Sequence, residues 1–139
     1  MKRKVNAVWS GDGANGTGFL STQSGGINNL PYSFKSRFKN EDGTLGTNPE
    51  ELIAAALAGC FNMKLSFVLN EANFKPENLN TDAILSFEDG KILSIQLNLK
   101  GKVPSISEDK FQELANNAKE NCPVSGVLNC EILLNTTLL

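Results

Sequence analysis

The side chains able to do covalent chemistry are Cys60, Cys122 and Cys130, in a chain of 139 residues that contains no histidine. That zero removes Ser-His-Asp and Cys-His catalysis and the histidine-containing zinc sites. A reactive thiolate here would need a lysine or arginine as its activating cation. Three cysteines with no C-x-x-C pair form neither a disulfide scaffold nor a metal-like cluster. Arg37, shortly before a long apolar segment, is the best-placed cation, although a solvated loop charge is the simpler account of it. Judged by its neighbours Ala58, Gly59 and Phe61, Cys60 fits a small packing residue better than a nucleophile. Cys122, between a helical pattern and Pro123, is expected to be accessible and locally mobile, yet taken alone it too favours a structural role.

The elements that must position these residues are legible in part. Residues 5–9, 18–22 and 32–37 read as short strands separated by Gly and Asn, which puts Arg37 at a strand end. The glycine-rich stretch at 11–18 lacks the lysine and following helix of a phosphate loop and reads as a hairpin loop. Asn48 as cap, Pro49 at the first helical position and the acids Glu50 and Glu51 mark a helix start, with the helix running to about Ala72. Its first half is apolar nearly all round, so the helix is expected to be central and buried, with Gly59 permitting close approach of another backbone. Cys60 lies far beyond the first turn, out of reach of the helix dipole.

Strands over 81–87 and 91–100 follow, joined by a tight Asp89-Gly90 turn. A second helix over 107–121, capped by Ser105 or Ser107, ends at Cys122-Pro123, and a last strand is expected over 128–134. The order of strands, long helix, hairpin, helix and strand gives an α+β class, and the length suits a single domain over 1–139.

A net charge of −2 argues against nucleic acid as a partner. Asn62 and Lys64 interrupt the longest apolar stretch, and no secretory leader follows Lys2-Arg3-Lys4, so neither a membrane span nor export is expected and the chain reads as cytoplasmic.

Arg37-Phe38, then GTNPEELIAAALAGCF over 46–61, then Asn121-Cys122-Pro123-Val124-Ser125 together resemble the OsmC (osmotically induced protein C) and organic hydroperoxide resistance family. The resemblance covers nearly the whole chain, including Trp9 and Leu30-Pro31-Tyr32. It implies antiparallel sheets around a long central helix carrying Cys60, and an intertwined homodimer with active sites at the subunit interface. It further implies thiol-based reduction of organic hydroperoxides without metal, haem or other cofactor. Carried over by position, Cys60 is the peroxidatic cysteine, Cys122 the resolving cysteine, Arg37 the activating cation and Glu50 the carboxylate that holds it, with Glu51 only a neighbour. A dithiol reductant, a lipoyl protein being the candidate, would reopen the resulting disulfide.

At about 1.5 Å per residue, Glu50 and Cys60 stand roughly 15 Å apart along one helix, so Glu50 is expected to act across the dimer interface. Ala56, Phe61, Met63 and Phe67 are candidate lining for an apolar pocket, though each also suits core packing. Departures from the family pattern are a longer 38–45 segment, which puts the placement of Arg37 in question, Leu57 where histidine is common, and the additional thiol Cys130, expected to pack. The alternatives are a non-catalytic dimeric module binding an apolar or lipoyl-like ligand, and a general disulfide oxidoreductase, which the missing C-x-x-C disfavours.

Overall fold

Residues 1–37 and 46–139 are described by the structure, a computed structural model; the 38–45 segment, with the question it raised about Arg37, and the Arg37 side chain lie outside them. The described residues group into two compact units, 1–52 and 53–139.

In the first unit β1 (Val5–Ser10), β2 (Thr17–Thr22) and β3 (Leu30–Ser33) form an antiparallel meander in that order. The β1–β2 connection is closed by the Asp12 carboxylate, which accepts from the backbone N–H of Ala14 at 2.9 Å and of Asn15 at 2.7 Å. The glycine-rich stretch is thus a hairpin loop organised around an aspartate, which would repel a phosphate. A Cβ at Gly18 would run into the Val8 carbonyl and the Tyr32 ring, so this position admits only glycine.

The strand expected to reach Arg37 stops at Ser33, and Arg37 sits on a 3-10 turn, Lys35–Arg37. The reason is local competition for the backbone. Ser36 N donates to Ser33 Oγ at 3.1 Å, Ser33 N donates to Ser36 Oγ at 3.3 Å, and Ser36 Oγ donates to the Thr47 carbonyl at 2.6 Å.

The long helix α1 spans Pro49–Glu71. Asn48 caps it as expected, its Oδ1 accepting from Glu51 N at 2.8 Å. Beyond Leu52 it belongs to the second unit, with β4 (Asn78–Glu88), β5 (Lys91–Lys102), α2 (Glu108–Asn121) and β6 (Glu131–Leu138). The β4–β5 hairpin turns on Asp89 and Gly90, at φ 48° and 76°, the two positive values that a two-residue turn with matching twist requires. Ser107 caps α2, accepting from Lys110 N at 3.3 Å. Because α2 carries the chain back along the sheet, β6 joins β5 in parallel, and the sheet order is β4-β5-β6. The last strand starts at Glu131 rather than 128, since a 3-10 turn at Ser125–Val127 intervenes.

The core of this unit is fully buried Leu57, Phe61, Leu65 and Leu69 of α1, Ile95 and Leu97 of β5, and Phe111, Ala115 and Ala118 of α2. Each large side chain here contributes about 1.5–3 kcal/mol of transfer free energy. Gly101 on β5 lets α2 lie close, because a Cβ there would strike the Phe111 ring.

The expectation that α1 is buried all round fails. Phe61 is fully buried, whereas Met63 and Phe67 are 66% and 61% exposed, and a Cβ at Gly59 would meet open space within the chain. By length and composition α1 is also apolar enough to cross a bilayer, despite Asn62 and Lys64. Its Leu57–Phe61–Leu65–Leu69 face lies instead in a core with β5 and α2, which is what the central helix of a globular unit does.

Candidate functional site

Cys60 and Cys122 come together: their Sγ atoms are 2.6 Å apart, both free thiols, about half an ångström beyond S–S bond length. Cys60 rides on α1, and Cys122 is the C-cap residue of α2, at φ −71° and ψ 126°. Cys122 is not the accessible thiol expected beside a proline. It is 1% exposed, because the residue that ends α2 is drawn into the same core as Ala118 and Phe111. Cys60 is the half-buried member and faces the open side. There it lines a groove of about 460 Å³ with Ala56, Met63, Lys64, Phe67 and Pro123, a size suited to a small organic ligand.

Of the candidate lining residues, Ala56, Met63 and Phe67 line the groove and Phe61 does not, being turned into the core. Leu57 is likewise fully buried among the core side chains, and Cys130 is half-buried against them. Two lining residues were missed. Lys64 follows Cys60 by four positions, so helical spacing alone places it on the same face. Pro123 adjoins Cys122 and is brought in by the meeting of the two cysteines.

The two thiols titrate as a pair. With both protons present, Cys122 donates to Cys60. Burial pushes the Cys60 thiol up, and sharing a proton with Cys122 pushes it further. Burial also works against ionisation at Cys122, but it is outweighed by hydrogen bonds from the Cys60 thiol, from the N–H and hydroxyl of Ser125 and from the N–H of Val124, so the Cys122 pKa falls. The turn after α2 therefore wraps the Cys122 sulfur with donors. The Ser125 Oγ is buried with no partner of ordinary hydrogen-bond geometry, which leaves its proton to turn toward that sulfur as it ionises. The donors of the turn after α2 thus favour ionisation at Cys122, while burial and the shared proton disfavour it at Cys60.

Glu50 stands half-buried in the first turn of α1. Its neighbour Glu51 is engaged locally, its Oε2 accepting from the hydroxyl of buried Thr47 at 2.5 Å. The Arg37 backbone lies on the 3-10 turn after β3.

Comparison with known proteins adds to this geometry. Residues 40–137 match the family of OsmC-like proteins. The chain is 44% identical to Peroxiredoxin OsmC of Escherichia coli over 99% of its own length and 97% of that protein. The crystal structure of the organic hydroperoxide resistance protein OhrB of Bacillus subtilis superposes with a TM-score of 0.70 at 28% identity, covering 99% of this chain and 98% of that one. An OsmC-like protein from Mycoplasma pneumoniae shares the fold with a TM-score of 0.78 at 16% identity, over 100% and 98% of the two chains.

Proposed function

Belonging to the OsmC-like protein family, the chain is a cysteine-based peroxidase, and we propose that it reduces organic hydroperoxides to alcohols through Cys60 and Cys122. The observation that carries this is the 2.6 Å separation of the two sulfurs with only Cys60 on the groove wall. A peroxide entering the groove meets Cys60. Cys122 waits behind it, shielded from the oxidant.

In the first step the Cys60 thiolate attacks the terminal peroxide oxygen; the O–O bond breaks, the alkoxide takes a proton and leaves as the alcohol, and Cys60 becomes a sulfenic acid. The Cys122 thiolate then attacks the Cys60 sulfur; the S–O bond breaks, hydroxide leaves and gains a proton, and a disulfide forms. A dithiol reductant returns two electrons and two protons to restore both thiols. The donors around Cys122 serve the second step by favouring the thiolate form of that sulfur. The first step needs the charge on Cys60 instead. Arg37 is proposed as the cation that moves it there, with the Glu50 carboxylate orienting the guanidinium. An apolar groove favours an alkyl hydroperoxide over hydrogen peroxide, because an alkyl group gains from leaving water and hydrogen peroxide does not.

The assembly is proposed to be a homodimer. In the 1–52 unit only Gly16, Gly18 and Thr47 among the described residues are buried, and every residue of β1 is exposed. A three-stranded sheet without a covered apolar face is not stable alone, and a second copy of the chain would supply the cover.

Titrating thiols before and after one equivalent of cumene hydroperoxide tests the reading. Loss of both pair thiols with a Cys60–Cys122 bridge found by peptide mapping supports it. Retention of all thiols at neutral pH would instead favour a non-catalytic module with an apolar ligand in the groove.

A further inference from the structure

The backbone on either side of residues 38–45 is fastened together by side chains that the reaction does not use. Before that segment, the Ser36 hydroxyl accepts from Ser33 N at 3.3 Å and directs its one proton at the Thr47 carbonyl, 2.6 Å away, with the Ser33 carbonyl at 2.7 Å sharing it. After it, the Asn48 carboxamide works in two directions. Its Oδ1 caps α1 by accepting from Glu51 N at 2.8 Å, and its Nδ2 donates to the Ser36 carbonyl at 3.1 Å. Thr47 is held in turn, its N–H donating to the Pro31 carbonyl of β3 at 2.9 Å and its hydroxyl to the Glu51 carboxylate. Ser36 and Asn48 are half-buried and Thr47 is buried.

This clip does more than a helix cap needs. A cap requires only the side-chain oxygen of Asn48, which a serine supplies as well. The Asn48 N–H arm instead grips the Ser36 carbonyl, which belongs to the peptide group joining Ser36 to Arg37. The backbone immediately before Arg37 is thereby fixed against the first turn of α1, where Glu50 lies. A charged side chain carried on a fastened backbone has less freedom to lose when it engages a partner, because fewer dihedrals remain to be ordered. Closing the base of the 38–45 segment also makes the starting point of Arg37 independent of the number of residues between the two ends.

We propose that Asn48 and Ser36 are positioning residues for Arg37: they hold its backbone at the start of α1, so that the guanidinium is presented to Cys60 without first ordering the chain that carries it. This rests on the roles proposed above for Arg37 and Glu50 and extends them to the residues that keep the two together. Neither Asn48 nor Ser36 is given a proton or an electron to transfer.

The test uses substitutions that separate the clip from the cap. Asn48→Ser keeps a neutral capping oxygen, but its short side chain cannot cap and reach the Ser36 carbonyl together; Ser36→Ala removes the hydroxyl and leaves the carbonyl that Asn48 grips. The rate of Cys60 alkylation by iodoacetamide, followed across pH by peptide mass spectrometry, reports the Cys60 thiolate without requiring peroxide. Each variant is expected to slow alkylation at neutral pH by about threefold to tenfold, the range that one lost hydrogen bond allows, with recovery at alkaline pH. In an Arg37→Ala background neither substitution should slow the reaction further, because the group being positioned is gone. The urea midpoint of Asn48→Ser should stay close to the parent's, since the cap remains. A parental rate and pH profile in both variants overturns the proposal. So does an equal loss with and without Arg37, which is the mark of a general structural role. If Arg37→Ala itself behaves as the parent, the assignment of the arginine falls and the role of the clip falls with it. If the variants alkylate as expected but the parent consumes no cumene hydroperoxide, the peroxidase reading fails and the positioning of Arg37 stands.

Discussion

Cys60 lines an open groove, while Cys122, with its sulfur 2.6 Å from that of Cys60, is 1% exposed. This arrangement assigns the order of reaction by access rather than by acidity, because the buried thiol is the one whose pKa is lowered. Limited treatment with iodoacetamide should therefore label Cys60 ahead of Cys122, as read by peptide mass spectrometry. Cys60→Ser should abolish peroxide consumption, whereas Cys122→Ser should allow one equivalent to be consumed and leave a sulfenic acid that dimedone traps. Trapping at Cys122 in the Cys60→Ser protein would reverse the assignment.

The buried Ser125 hydroxyl gives a second prediction, one that depends on pH. It is among the donors that lower the Cys122 pKa, so Ser125→Ala should raise it. Disulfide formation from the Cys60 sulfenic acid should then slow near neutral pH and recover as the pH rises, because more Cys122 is ionised there. Ser125→Thr, which keeps the hydroxyl, should behave as the parent. The effect on stability has a defined sign. A thiol whose folded pKa is depressed adds stability that is present above its unfolded value of about 8.5 and is lost as the pH falls through the folded value. Ser125→Ala should thus lose stability mainly at alkaline pH, measured by urea unfolding across that range. A loss of rate that no increase in pH restores would mean that Ser125 serves packing alone.

What could be seen in the sequence was local. Asn48, Pro49 and the two glutamates mark the start of α1, Asp89-Gly90 marks the β4–β5 turn and Ser107 caps α2, because each acts on backbone groups within a few residues. What could not be seen depended on tertiary packing. Phe61 and Phe67 are the same residue type on one apolar helix; six positions leave them about 120° apart around it, and only the presence of β5 and α2 decides which is buried. Cys122 read as a loop thiol because its burial comes from residues distant in sequence. Lys64 was visible as a break in an apolar run, but its use as a groove residue requires knowing that Cys60 faces outward.

The two phenylalanines also make separable mutants. Phe61→Ala empties a fully buried site and should destabilise the protein by about 3–5 kcal/mol in denaturant unfolding. Phe67→Ala removes an exposed ring from the groove wall and should change the stability of the chain by within about 1 kcal/mol. Its effect should appear in KM for cumene hydroperoxide, which rises as the apolar wall is lost. Equal destabilisation by both would show that Phe67 is covered in the working protein.

The last prediction concerns how Cys60 becomes a thiolate at all. Burial and the shared proton both raise its pKa, while the donors around Cys122 lower that of its partner. With no histidine in the chain, a guanidinium beside Cys60 is the chemistry able to reverse that order, since a cation stabilises the nearer anion. Arg37→Ala should therefore slow the reaction of Cys60 with cumene hydroperoxide by about tenfold or more at neutral pH, with partial recovery at alkaline pH and an unchanged circular dichroism spectrum. Arg37→Lys should retain part of the rate because the charge remains and the planar fork is lost. Glu50→Gln should resemble a weaker Arg37→Ala, as the guanidinium keeps its charge but loses the carboxylate proposed to orient it. If Arg37→Ala reacts at the parental rate with the parental pH profile, another cation activates Cys60, and Lys64, which lines the same groove, is tested next by the same measurement on Lys64→Met.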